Sequence, residues 1–347
     1  MMVKTPTVTK SAVLDVRDLR VWYAGAGGPI KAVDGVTFSL KRGEVLGLVG
    51  ESGCGKSTLG RGLLGLTPAG AAMDGEITFD GENLVELTAK GWPAMRGAGL
   101  GMIFQEPMTR LDPLMRISDH FREAIRSHEK ISKRNADLRA LETLRSLGIP
   151  PSRYKNYPHE FSGGMRQRIM IALALALRPA FVVADEPTTA LDVLVEAQII
   201  KILSQIRTTF SPAMLLITHN LGIVGQACDR VAVMYAGRIV EQGTVAEVFA
   251  NPQHPYTQEL LGATISLTTT ELKTIPGAPP DLGNPPPGCR FHPRCPHAMA
   301  VCAERLPATT DFQDGREVEC HLLQLGSLTP DERSPLSRRE VLVADEA

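Results

Sequence analysis

A chain of 347 residues with 43% hydrophobic side chains can bury one large core or two smaller ones. Its formal net charge of −1 excludes the broad basic field on which nucleic-acid binding relies. No run approaches the ~18 consecutive apolar residues of a membrane span, and residues 1–10 lack the apolar segment of a secretory signal, so work at a membrane is expected to proceed by docking onto other chains.

Residues 13–23 alternate as a strand does, a glycine-rich turn follows, and residues 32–40 read as a second strand. An antiparallel sheet is therefore expected at the start of the chain. Tyr23 closes its first strand, where an aromatic suits stacking on a purine base and equally suits packing into a core. Val45 to Val49 is a short apolar run fit for a buried parallel strand. It leads into Gly50-Glu51-Ser52-Gly53-Cys54-Gly55-Lys56-Ser57, which is G-x-x-x-x-G-K-S, and then into helical composition over 58–66. Strand, glycine loop and helix make a phosphate cradle. The glycines turn successive backbone N–H groups inward, and the helix presents its positive end to the same anion. Lys56 is expected at the β- and γ-phosphates and Ser57 on Mg²⁺.

Residues 75–80 and 100–104 read as short strands, with Gln105 at the exit of the second, its amide placed to approach the metal or an attacking water. Helices are expected over 117–128 and 132–147, a helical insertion closed by Pro150 and Pro151. Ser162 then reads as the N-cap of a helix over 164–177. Ser162, Gly163 and Gly164 make this a second candidate anion-binding helix end. On physics alone a plainly capped helix is the simpler reading, and two subunits sharing nucleotides is the alternative. Phe181 to Glu186 is a buried strand ending in two acids. Asp185 suits Mg²⁺ and Glu186 suits activation of a water as general base. A helix over 193–207 and a strand over 214–217 follow, ending at His219, on the edge of a parallel sheet where ligands gather. A hairpin over 231–241 and helices over 245–250 and 256–264 complete this part. Residues 276–287 carry six prolines. The core is expected to end near residue 265, followed by a cysteine-containing region over 266–330 and a loose charged tail over 331–347.

In this order the motifs resemble the ATP-binding subunit of an ABC transporter, over residue 14 to about 263. The resemblance implies an α/β fold: a P-loop ATPase core with a mixed sheet flanked by helices, an N-terminal antiparallel part and a helical subdomain over about 107–178. It implies ATP contacts at Tyr23, Gly50, Ser52, Gly53, Cys54, Gly55, Lys56, Ser57 and Thr58. It makes Gln105 the Q-loop, Asp185 and Glu186 the Walker B pair, and His219 the switch histidine. In trans, Ser162, Gly163 and Gly164 of the signature and Asp192 of the D-loop of a second cassette would meet the same ATP.

Residues 50–53, 104–109, 251–257 and 288–296 are similar to the oligopeptide/dipeptide importer branch, some of whose members carry nickel complexes or oligosaccharides. That resemblance implies a second cassette, related but not identical, two membrane permeases, an extracytoplasmic binding protein, and work at the cytoplasmic face of the membrane. Cys54 stands where this branch often has serine. Because backbone N–H groups hold the phosphate, binding is expected to survive, and a thiol reagent is expected to inhibit through Cys54.

Cys289, Cys295, Cys302 and Cys320 are spaced C-x5-C-x6-C-x17-C. Four thiolates can hold zinc or an iron–sulfur cluster, and the spacing is not that of a zinc ribbon. The resemblance implies a 4Fe-4S cluster; His292 and His321 keep zinc as an alternative, and four unliganded thiols in a small fold are the remaining reading. A soluble DNA-repair or translation ATPase of the same superfamily fits less well. Only about a hundred residues separate the glycine loop from Ser162, without sustained heptads, and a single cassette is present. A purely regulatory binding protein fits poorly with intact Glu186 and His219.

Overall fold

The computed structural model describes residues 12–87, 91–104, 110–188, 193–263 and 274–336. The chain opens with β1 (Ala12–Gly25) and β2 (Gly28–Lys41), followed by β3 (Val45–Val49) and α1 (Lys56–Gly62). β4 (Ala72–Phe79), β5 (Glu82–Asn83), α2 (Trp92–Met95) and β6 (Leu100–Ile103) come next. α3 (Ile117–His128), α4 (Lys133–Ser146) and α5 (Gly163–Leu175) form the insertion. β7 (Phe181–Asp185), α6 (Val193–Phe210), β8 (Ala213–Ile217), α7 (Leu221–Ala227), β9 (Arg230–Tyr235) and β10 (Arg238–Thr244) return to the core, and α8 (Val245–Ala250) and α9 (Pro255–Gly262) close it. Beyond residue 274 lie α10 (Ala300–Glu304), β11 (Thr309–Asp311) and β12 (Glu317–Glu319).

Two sheets organise the molecule. The antiparallel one runs β2-β1-β4-β5. The larger one runs β11-β12-β10-β9-β3-β8-β7-β6, parallel from β9 to β6. β3, β7 and β8 are buried at every position, as strands covered on both faces must be. One face packs with α1 and the antiparallel sheet around Leu14, Phe38, Leu48, Leu59 and Phe181. The other packs against the helical insertion and α6 around Phe121, Ile169, Val182, Leu216 and Ile199. This layering sets the C-terminal ends of β3, β7 and β8 side by side, and the loops that leave them share one edge.

Three sequence expectations shift. α1 stops at Gly62 rather than near Leu66, because Gly65 takes a positive φ of 59° and Trp92 packs where its side chain would be. Residues 274–336 do not form a body apart: β12 pairs with β10 through Glu241 opposite Val318, so the extension lengthens the cassette's own sheet. Residues 331–336, expected to be part of a loose tail, are held in place. Ala300 N–H donates to Ser334 O at 2.9 Å, Leu336 N–H to Ala298 O at 3.1 Å, and Arg305 pairs with Glu332 at 2.9 Å, so 331–336 are docked. Residues 337–347 lie outside the described residues.

Candidate nucleotide site

The glycine loop folds as its sequence demands. Gly50, Gly53 and Gly55 adopt φ of 151°, 81° and 106°, which side-chain-bearing residues rarely adopt. A Cβ on Gly50 would lie 2.1 Å from Met234 O, and one on Gly55 2.0 Å from Ala32 O, so the loop runs flush against the two walls that support it. Gly55 also occupies the N-cap of α1. Lys56, only 6% exposed, bends back over the loop, its ammonium donating to Gly50 O and Glu51 O at 2.8 Å each.

The neighbouring strand supplies the acids. Ser57 Oγ donates to Asp185 Oδ1 at 2.8 Å. Asp185 is buried, and burial lifts its carboxyl above the usual carboxylate range, with the Ser57 hydroxyl and Arg61 drawing it partly back. A buried carboxylate bonded to a serine oxygen is a donor set suited to a hard divalent cation, whose charge offsets that burial. Glu186 follows at φ 46°, a left-handed conformation unfavourable for an L side chain. Its backbone N–H is fixed by Ile217 O at 2.9 Å. His219, just past the end of β8, has its Nδ1 3.6 Å from Glu186 Oε1. Tyr23 hydroxyl donates to Thr58 Oγ1 at 3.2 Å, and its ring packs partly into the core.

A cleft of about 270 Å³ is lined by Ser52, Gly53, Gly55, Lys56, Ser57, Thr58 and Glu186, together with Ala32 and Leu282. The fold thus brings the glycine loop, Asp185, Glu186 and His219 to one edge. It does not bring Ser162, Gly163 and Gly164 there; they start α5, in the helical insertion, and do not line the cleft. Ser162 occupies the expected N-cap position, yet its side chain makes no capping bond, and Ser162 and Gly163 are exposed. Gln105 and Asp192 lie outside the described residues.

The reactivity expected of Cys54 is not supported. The thiol is 5% exposed, and burial raises it above its ordinary value, with the Lys56 ammonium drawing it only partly back. A buried, protonated thiol is a poor nucleophile.

Sequence reasoning missed Tyr256. Its hydroxyl accepts the Glu51 N–H at 2.9 Å. It is set there by fully buried Glu241, whose carboxylate accepts Gln253 N–H and His254 N–H at 2.9 Å each. His254, pushed down to about 3 by burial and so neutral, accepts Tyr256 N–H at 3.0 Å on Nδ1. The signal was present in residues 251–257, noted only for their resemblance.

In the extension, Cys289, Cys295, Cys302 and Cys320 line one pocket together with His254, His292, His297 and His321. All four are free thiols. Burial pushes each up, Cys295 to about 12 and Cys320 to about 11, and neighbouring cysteines push Cys289, Cys295 and Cys320 further. Among the described residues no three His, Cys, Asp or Glu side chains converge closely enough to hold a single metal ion. His292 Nδ1 and His321 Nε2 each lie 2.9 Å from a backbone carbonyl, of Cys289 and Arg305.

Fold and site together define a P-loop ATP-binding cassette. Residues 33–189 match the ABC transporter family model, and residues 240–302 match that of the oligopeptide/dipeptide transporter C-terminal region. The chain is 48% identical over 316 residues to the dipeptide transport ATP-binding protein DppD of Bacillus subtilis, covering 89% of this chain and 94% of that one. It is 45% identical over 313 residues to the oligopeptide transport ATP-binding protein OppD of Escherichia coli, covering 89% and 93%. Among solved structures it resembles cbiO1 from Clostridium perfringens, part of the ABC transporter complex cbiONQ, with a TM-score of 0.61 at 30% identity, covering 70% of this chain and 92% of that one. The chain belongs to the ATP-binding proteins of ABC transporters, in the oligopeptide/dipeptide family. Among the described residues no helix is long and apolar enough to cross a membrane.

Proposed function

We propose that this chain is the ATP-hydrolysing subunit of an importer for oligopeptides or dipeptides. One observation carries the reading: a single chain joins a hydrolytic set (Lys56, Ser57, Asp185, Glu186, His219) to a C-terminal region of the oligopeptide/dipeptide type. Lys56 holds the β- and γ-phosphates, and the backbone of Gly50 to Thr58 cradles them. Ser57, Asp185 and Gln105 would hold Mg²⁺, which supplies charge neutralisation at the phosphates. Glu186 accepts a proton from the attacking water, oriented by His219. Tyr23 stacks on the base. The ATP is completed by Ser162, Gly163, Gly164 and Asp192 of a second cassette, a related chain, packed head to tail. That arrangement gives the exposed start of α5 a ligand. Two membrane permeases take up the motion at the cytoplasmic face, and an extracytoplasmic binding protein delivers the cargo. Residues 1–265 serve as the ATPase unit, with the helical subdomain over about 107–178, and the cysteine region over 266–330 is its extension.

Within that extension, Cys289, Cys295, Cys302 and Cys320 would hold a 4Fe-4S cluster. Support comes from four thiols around one pocket, Cys302 and Cys320 buried and Cys289 and Cys295 half-buried, where a cationic cluster core would offset the charge of the thiolates. Held there by the four cysteines, such a group would cross-link a region with little core of its own. Iron, sulfide and zinc content of the anaerobically purified chain tests this; one zinc per chain and no iron would reverse the assignment.

The function itself is tested in membranes carrying this chain, its partner cassette and the permeases. Peptide-loaded binding protein is expected to stimulate ATP hydrolysis, and Glu186→Gln to abolish the stimulation. Stimulation only by a nickel chelate or an oligosaccharide would move the cargo to the alternative classes.

A further inference from the structure

The extension reaches the carboxylate of the phosphate loop through an ion pair. Arg294, whose side chain is 3% exposed, forks onto the Glu51 carboxylate, Nη1 to Oε2 at 2.7 Å and Nη2 to Oε1 at 3.0 Å. Nε donates to Pro276 O at 2.7 Å, and Nη1 also reaches the Tyr235 hydroxyl at 3.3 Å. Glu51 is held at its other polar groups too. Its N–H donates to Tyr256, and its carbonyl accepts the Lys56 ammonium. Every polar group of this loop residue is therefore engaged, and its carboxylate is engaged only through the extension among the contacts described.

A carboxylate is out of place in a loop that binds anions. Unpaired, Glu51 would repel the phosphates, and at 23% exposure it would be incompletely screened by solvent. A bidentate guanidinium cancels that charge and fixes its direction. We propose that Arg294 is a positioning residue of the nucleotide site: it neutralises Glu51 and locks it so that its carbonyl receives Lys56. The extension is then a working part of the ATP site. This rests on reading residues 50–57 as the phosphate loop.

The alternative is that the pair only anchors the extension. The two differ in sign. If Arg294 acts by cancelling the Glu51 charge, removing that charge rescues a chain lacking Arg294; if it is an anchor, removing Glu51 cannot help. The experiment measures equilibrium binding of Mg-ATP to the full chain as unaltered protein, Arg294→Ala, Glu51→Gln and the double variant, with iron and thermal midpoint recorded for each. Arg294→Ala is expected to bind about tenfold more weakly, and the double variant to return to within about threefold of the unaltered chain. Arg294→Ala binding as the unaltered chain does, or a double variant as weak as Arg294→Ala, overturns the inference alone. No Mg-ATP binding by the unaltered chain overturns it together with the reading of the loop. If Arg294→Ala does not fold, Arg294→Gln, which keeps donors but not charge, enters the same cycle with the same expected rescue.

Discussion

Ser57 donates its hydroxyl to Asp185 at 2.8 Å across 128 positions of sequence, tying the first residues of α1 to the end of β7. The contact joins the two residues proposed to hold Mg²⁺, and burial holds the Asp185 carboxyl above its ordinary range. A raised folded-state value means that the ionised carboxylate weakens the fold at neutral pH, and that the penalty disappears as pH falls through that value. Asp185→Asn is therefore expected to raise the melting temperature of the nucleotide-free chain at pH 7, with the gain shrinking toward acid pH, while lowering kcat for ATP by at least about 100-fold. Thermal melts from pH 4 to 8 beside a phosphate-release assay check both halves.

Glu186 points a strained backbone at the cleft, with His219 at 3.6 Å. Glu186→Gln removes the proposed proton acceptor and keeps the shape. Hydrolysis is expected to fall about 10²–10⁴-fold with Mg-ATP affinity retained, as a single-turnover assay and equilibrium binding would record. Loss of affinity in parallel with rate would assign the residue to binding instead.

Cys54 is shielded by the loop that contains it. Iodoacetamide at pH 7.5 is expected to leave it unmodified in the native chain and to label it after unfolding, as peptide mass mapping would reveal. Cys54→Ser is expected to bind Mg-ATP within about threefold of the parent, because the backbone makes the phosphate contacts.

Phe291 fills the joint between cassette and extension. It is 1% exposed, with its ring 5.1 Å from Tyr235 and 5.4 Å from Tyr256. Phe291→Ala is expected to destabilise the chain by about 3–5 kcal/mol. Since Tyr256 receives the Glu51 N–H, the same change should weaken Mg-ATP binding. Chemical denaturation and nucleotide titration of one preparation separate the two effects.

The phosphate loop, the acid-ended strand β7 and His219 were legible because each is a local pattern: an apolar run of five or so residues followed at once by chemistry. The hairpin of the extension was not. Thr309–Asp311 and Glu317–Glu319 are three residues each, and only Val318 in the second is fully buried, so neither alternation nor hydrophobicity marks them. The Tyr256 contact was illegible for a different reason. Its role depends on Glu241 and His254 folding residues 251–257 into a particular turn, which composition does not specify. Ser162 takes the N-cap position expected of it, without the bond. Serine before a helix predicts a cap, but here the hydroxyl makes no capping bond.

The pairing of Glu51 with Arg294 spans 243 positions. On a growing chain, the loop leaves the ribosome long before the arginine that completes it exists. At a synthesis rate of about 5–20 residues per second, that interval is roughly 10–50 s. Because β3 lies between β8 and β9, the loop cannot be seated until Tyr235 has been made, so a folded cassette lacks its arginine only for the last part of that interval. With Arg294 in the proposed role, a chain cut short before the extension would carry a seated phosphate loop whose carboxylate is unopposed.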